Sequence, residues 1–279
     1  MRSLDLRHYL ALFSLLVLPL IPSSKVIAQP PPAELTVSAP EEDLLSWEIA
    51  AGGSVVTGNT QSYGATVGTQ FDLVRSKHRF NFGSLFIYNR SKIQDVETIE
   101  TTAKNINSGA RYEYYFRERD AAFIGVKHRW DTFAGLDTRL QIQPGYLRVF
   151  HENKEKERRF WGEVGYDFTY DNLYPNPLPA DPETGEIPDD TVFTHAGRIF
   201  LGWDARFQDY LRILTGLEAL LNFQEIGDLR LNWNTRVSAS IHKRVELGVQ
   251  FLLLYDRIPV PTHQKLDTYL LANLIVNLL

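Results

Sequence analysis

The chain has 279 residues, carries a formal net charge of −5 and contains no cysteine. Without cysteine there is no disulfide, no thiolate nucleophile and no thiolate metal site. The acidic balance argues against a nucleic-acid partner, which calls for a basic face.

Arg2, Arg7 and His8 form a basic start, and Tyr9 to Ile21 follows as an apolar run. At about 13 residues that run is short for a transmembrane helix. Val26-Ile27-Ala28 puts small or tolerated residues at −3 and −1 of a cleavage site, so residues 1–28 read as a secretory signal peptide, cut before Gln29. An uncleaved anchor is the alternative, and Pro19 and Pro22 speak against it by breaking the helix early. No cysteine follows the run, so no lipoprotein anchor is expected. The segment takes away Arg2, Arg7, Lys25 and Asp5, leaving 26 basic and 33 acidic residues, net −7. Residues 29–45, with four prolines between Gln29 and Pro40, read as a flexible periplasmic tail.

From residue 46 to 279 the sequence alternates apolar and polar residues with a period of two, in about twelve segments separated by turns. The segments are 46–58, 60–74, 79–92, 104–116, 121–131, 138–150, 159–171, 191–204, 210–223, 228–241, 244–257 and 265–279. In the fourth, Ile106, Ser108, Ala110, Tyr112, Tyr114 and Phe116 share one face and Asn107, Gly109, Arg111 and Glu113 the other. The seventh, ninth and tenth segments sort the same way. A helix would scatter those charges around its circumference, whereas a strand collects them on one side. After the signal there is no apolar run long enough for a helical span, so a membrane protein of this composition must cross with strands.

The even-numbered connections are short and charged: 75–78, 117–120, 151–158, 207–209 and 242–243. The odd-numbered ones include the longest, 93–103 and 172–190. Bacterial barrels have short periplasmic turns and longer outer loops, and an even strand count with a periplasmic N-terminus gives this parity. The aromatics near segment ends, Trp47, Tyr88, Phe116, Trp130, Phe150, Tyr170, Trp203, Phe223 and Tyr255, fit two interfacial girdles. The fold expected is all-β: a transmembrane antiparallel up-and-down barrel of about twelve strands, with ten or fourteen as alternatives, in the bacterial outer membrane.

Trp47 leads a glycine-rich first strand that ends in Val56-Thr57-Gly58-Asn59-Thr60. With Arg129-Trp130-Asp131-Thr132-Phe133 and Gly145-Tyr146 further on, this order resembles the YdiY-like salt-stress-inducible outer-membrane proteins, which carry domain of unknown function 481. The resemblance runs from about Trp47 to the C-terminus. It implies a closed outer-membrane barrel linked to osmotic or salt stress, and it brings no functional residues. One departure is the end of the chain. Such barrels commonly finish on an aromatic, whereas here the apolar set Leu270, Ala272, Leu274, Val276 and Leu278 stops one residue early.

Strand phase places Arg111, Lys127, Arg129, Arg139, Arg198, Arg212, Arg230 and Arg236 inside, with Asp72, Glu113, Glu163, Asp167, Asp171, Asp204, Glu218 and Glu246. Two readings stand. Buried charges must pair or bear a large desolvation penalty, so the set forms a network plugging the lumen; or it forms charge rings in a solute-selective pore. Arg198 and Arg236 at mid-height, with Arg111 close by, make a basic eyelet unless Asp167 and Glu218 neutralise it.

Enzymatic readings are weaker. Ser240 and His242 fall at a periplasmic turn with no carboxylate placed beside them. Asp189, Asp190 and His195 sit near the outer rim, where barrel proteases keep carboxylates and a histidine, but a solvated acidic loop explains them as well. Loop 172–190 carries Asp181, Glu183, Glu186, Asp189 and Asp190 without the spacing of a fixed calcium loop. The seven histidines form no ligand pair. No catalytic residue, metal or cofactor is therefore expected. The partners expected are outer-membrane lipids, the barrel-assembly machinery during insertion, and small ions or solutes. The leading function is a narrow pore or a structural envelope barrel; the alternative is a lipase- or protease-like enzyme at the outer rim.

Overall fold

The structure is a computed structural model and describes residues 43–56, 62–92, 99–153, 155–174, 189–208, 210–259 and 265–278. The signal segment, residues 29–42 of the tail, the Gly58-Asn59-Thr60 motif and most of loop 172–190 lie outside those residues. Among the described residues there are twelve strands: β1 (Leu44–Val56), β2 (Ser62–Arg75), β3 (His78–Lys92), β4 (Ile99–Arg117), β5 (Asp120–Asp131), β6 (Leu136–Asn153), β7 (Arg158–Leu173), β8 (Thr191–Phe207), β9 (Leu211–Asn222), β10 (Leu229–His242), β11 (Val245–Asp256) and β12 (Leu266–Asn277). Each pairs antiparallel with its sequence neighbours, and β1 pairs β12 to close the barrel. Leu44 and Leu45, assigned to the tail by sequence, open β1 and pair with Val74 and Leu73.

The connections have the expected asymmetry. At one end β2–β3 turns through Ser76-Lys77, β4–β5 through residues 118–119 and β10–β11 through 243–244. Ser76 in the β2–β3 turn and Gln208 in the β8–β9 turn adopt left-handed φ angles of 54° and 50°, a conformation a tight reversal demands of one residue. At the other end β3–β4, β7–β8 and β11–β12 are joined by longer segments.

Alternation gives the wall two surfaces. Outward, Val67, Ile124, Val164, Ile199, Leu217 and Leu270 are each between 45% and 58% exposed. Such a continuous apolar wall is unfavourable in water and favourable against hydrocarbon. At the short-turn end it is bordered by paired rings, with His78 against Tyr112 and Tyr114, Phe116 against Tyr146, Phe150 against Phe160, and Trp203 against Phe207. At the long-loop end Phe168 and Tyr170 meet Phe193, and Lys104 lies 5.2 Å over Trp130. Of the end aromatics singled out in the sequence, Trp47, Phe116, Phe150, Trp203 and Phe223 are exposed on the outer wall, while Tyr88, Trp130, Tyr170 and Tyr255 are half-buried.

The closing seam is the shortest junction. Glu48–Asn277 through Gly52–Asn273 make five rungs, whereas every other strand pair makes eleven or more.

Candidate functional site in the barrel lumen

The inward parity of β4 to β9 holds an apolar cluster toward the short-turn end. Tyr115, Ala121, Phe123, Leu147, Val149, Trp161, Phe200 and Leu214 are all buried and packed together. Their height follows from register: Tyr115 faces Ala121, Ala121 faces Leu147, and Trp161 faces Gly202. Inward glycines make the room. A Cβ on Gly202 would overlap the Trp161 indole, and one on Gly145 would overlap the Phe123 ring. Trp161 shares its strand face with Glu163 and Asp167, but parity alone does not reveal this plug. The signal for it is a large apolar residue at inward parity beside an inward glycine on the next strand.

Above the plug, charged side chains reach between non-adjacent strands. Arg111 on β4 donates to both oxygens of Glu163 on β7 at 3.0 Å and lies 2.8 Å from Glu113. Arg198 on β8 donates to Glu163 and to Glu218 at 2.6 Å each. Lys127 on β5 donates to Glu218 at 3.2 Å, and Asn232 donates to its other oxygen at 2.8 Å. Three cations thus meet three carboxylates, so the cluster is neutral. The Arg111 and Arg198 guanidinium carbons lie 3.8 Å and 5.6 Å from the Phe123 ring centre, seating the network on the plug.

Toward the long-loop end the pairs are local. Arg139 forms a fork with Asp171 at 2.6 Å twice, and Arg129 donates to Asp131 at 2.8 Å. Asp131 also accepts from the backbone N–H groups of Phe133 and Ala134, tying the β5–β6 connection to the wall. Arg230 lies 3.4 Å from Asp256 and 4.0 Å from Asp228. Asp167 accepts from Gln141 and Gln143. At the short-turn end Arg212 is paired with Asp204 at 2.7 Å.

The eyelet expected from Arg198, Arg236 and Arg111 is corrected by these contacts. Arg198 and Arg111 share Glu163, a partner that strand phase could not assign to Arg111 because β7 lies three strands from β4. Arg236 stands apart, its guanidinium 3.4 Å from Glu48 across the barrel.

The half of the lumen formed by β10–β12 and β1–β3 is lined differently. A cavity of about 100 Å³ is bounded by Ala50, Gly68, Gln70, Gly83, Asn234, Gln250 and Asn273, among others, with the Arg236–Glu48 pair beside it. Its wall mixes small and neutral polar residues with the apolar side chains of Leu85 and Ile275. That volume holds a few waters, each occupying about 30 Å³ in the liquid. A second cavity of about 40 Å³ lies among Lys127, Arg129, Arg139, Glu218 and Arg230.

His195 faces outward, hydrogen-bonded through Nδ1 to the Tyr166 hydroxyl and packed on Phe168. Ser240 and His242 lie at the β10–β11 turn, where the register shifts. Asp181, Glu183 and Glu186 lie outside the described residues.

Together these features define a closed twelve-stranded antiparallel barrel with an apolar outer wall and a partly filled, charge-paired lumen. The family described as "Protein of unknown function, DUF481" matches residues 49–278, and the chain belongs to that family. Among solved structures the fold is similar to the NanC porin, 8% identical over 84% of this chain and the whole of that one, with a TM-score of 0.48. It is similar as well to the COG4313 outer membrane channel from Pseudomonas putida F1, 10% identical over 89% of this chain and all of that one, TM-score 0.47. The outer membrane channel DcaP of Acinetobacter baumannii is 11% identical over 86% of this chain and 98% of its own, TM-score 0.35. No curated protein matches the chain.

Proposed function

We propose that the protein is a bacterial outer-membrane barrel that works as a narrow pore for water, small ions and small hydrophilic solutes, without enzymatic activity. The apolar outer wall bordered by aromatics supports the membrane setting. The observation that carries the pore reading is the unequal filling of the lumen. The β4–β9 half holds the plug and the charge network, while the opposite half keeps a cavity of about 100 Å³ lined by small residues, amides, Leu85 and Ile275, beside the Arg236–Glu48 pair. On this reading the conduit runs along that half, with the ion pair at its constriction. A path for water and small ions suits a role in the envelope response to osmotic or salt stress, which is part of the proposal. The aromatic surroundings of His195, in place of a carboxylate, speak for a wall residue rather than a catalytic one.

Planar-bilayer conductance of the refolded chain from Gln29 onward, in graded salt, tests this. Small discrete steps are expected for the parent protein and larger steps for Arg236→Ala. A correctly folded barrel that is silent in both forms overturns the pore reading and leaves a structural barrel.

A further inference from the structure

The closed part of the β1–β12 seam ends at Gly52–Asn273. Continuing the register would pair residues 53–56 of β1 with 272–269 of β12. Instead residues 53–56 pair with β2 alone, from Gly53–Ala65 to Val56–Ser62, and residues 269–272 pair with β11 alone, from Tyr269–Leu252 to Ala272–Val249. Backbone pairing across the seam therefore stops toward the long-loop end, over about four residues or roughly 13 Å of strand, and this unpaired stretch is the split. Unpaired strand edges facing hydrocarbon are costly, so a split there needs a reason.

The split stops at a side-chain latch. The Thr66 hydroxyl, on β2, donates to the Asn273 side-chain oxygen, on β12, at 2.9 Å. It passes over Gly52, where a Cβ would come within 2.8 Å of that hydroxyl. Asn273 also lines the 100 Å³ cavity, together with Gln70, Asn234, Gln250 and the Arg236–Glu48 pair. On the outside, the strand edge is bordered by Leu270, Ala272 and Leu274, all exposed on the outer wall. An unpaired stretch of seam beside the apolar wall, a breakable hydrogen bond and a cavity lined in part by amides follow one another along a single line.

We propose that this split is a lateral portal through which a single-chain amphiphile inserts its polar head from the membrane into the lumen, its apolar chain staying against the outer wall. The head takes over the hydrogen bonds of the Thr66–Asn273 latch. Amide side chains and one neutral ion pair favour an uncharged or zwitterionic head over an anionic one. The proposal rests on the membrane setting proposed above, but not on conduction.

The probe is a lysophosphatidylcholine with a photoactivatable diazirine in its chain, near the head, mixed into phosphatidylcholine vesicles holding the refolded protein. Adducts are mapped by mass spectrometry. Labelling is expected on the inward residues Thr66, Gln250 and Leu271 as well as on outward Leu217 and Leu270. Because the chain has no cysteine, Gly53→Cys with Ala272→Cys forms a unique staple across the split. Oxidation is expected to abolish the inward adducts and keep the outward ones, and reduction to restore them. Outward adducts alone, in both oxidised and reduced protein, overturn the portal. Chain-to-chain disulfides of the single variant Gly53→Cys also overturn it, by showing that the edge pairs with a second copy. Absence of adducts even on Leu217 and Leu270 overturns the membrane setting itself.

Discussion

Gly202 on β8 stands directly across from Trp161 on β7, and the space its missing side chain leaves is the space the indole fills. The apolar plug depends on this pairing, since any Cβ at residue 202 overlaps the ring. Gly202→Val is expected to push Trp161 off its seat and destabilise the barrel by about 1–3 kcal/mol, the usual cost of overpacking. The check is the urea midpoint of the refolded barrel followed by tryptophan fluorescence. An unchanged midpoint and spectrum would mean the plug is loosely packed.

Glu163 holds two arginines from strands on different sides of it. Glu163→Gln leaves Arg111 and Arg198 with one carboxylate fewer at a buried site. Removing one member of a buried ion cluster typically costs about 3–5 kcal/mol, because the remaining charge stays desolvated. A matching loss in the denaturation midpoint is expected, together with a less compact gel mobility before heating. A loss below about 1 kcal/mol, the range of exposed pairs, would show that water reaches the network.

The Arg236–Glu48 pair makes opposite predictions for its two members. Arg236→Ala leaves Glu48 as an unopposed carboxylate at the constriction and should shift reversal potentials in a salt gradient toward cation selectivity. Glu48→Gln leaves the guanidinium unopposed and should shift them toward anions. Arg198→Ala is expected to impair folding more than it changes selectivity, because its charge is neutralised by Glu163 and Glu218. Equal shifts from Arg198→Ala and Arg236→Ala would contradict this division of the lumen.

Leu217 faces outward on β9, with Trp233 beside it in register. Leu217→Arg is expected to reduce the fraction folded into vesicles. A charge on the lipid face costs about 2–4 kcal/mol at the midplane and less near the interfaces. The readout is the heat-modifiable band on a gel. An undiminished band would mean that this face is not in contact with lipid.

Much of the architecture was legible in the chain itself because a strand has a period of two. Once Arg111 and Glu113 fall on one side of β4 and Tyr112 and Tyr114 on the other, the inner and outer walls are assigned without coordinates. The short charged turns at 75–78 and 117–120 fixed the connectivity in the same local way. Strand edges were less clear: β4 begins at Ile99, five residues before the alternation becomes regular, because pairing with β3 extends it past its own pattern.

The lumen was legible only in part. Parity put each charged residue inside, but a partner such as Glu163 for Arg111 lies three strands away, and strand phase carries no information about who meets whom across a barrel.

The sequence by itself determined that this chain forms an antiparallel barrel with an apolar outer wall and a charged interior, since alternation is a property of each strand alone. Only the tertiary structure decided that one half of the lumen holds the plug and charge network while the other keeps a cavity of about 100 Å³, and that pairing across the β1–β12 seam stops after five rungs. Those features depend on the register between strands far apart in sequence and on side-chain volumes summed across the barrel, and no single segment encodes them.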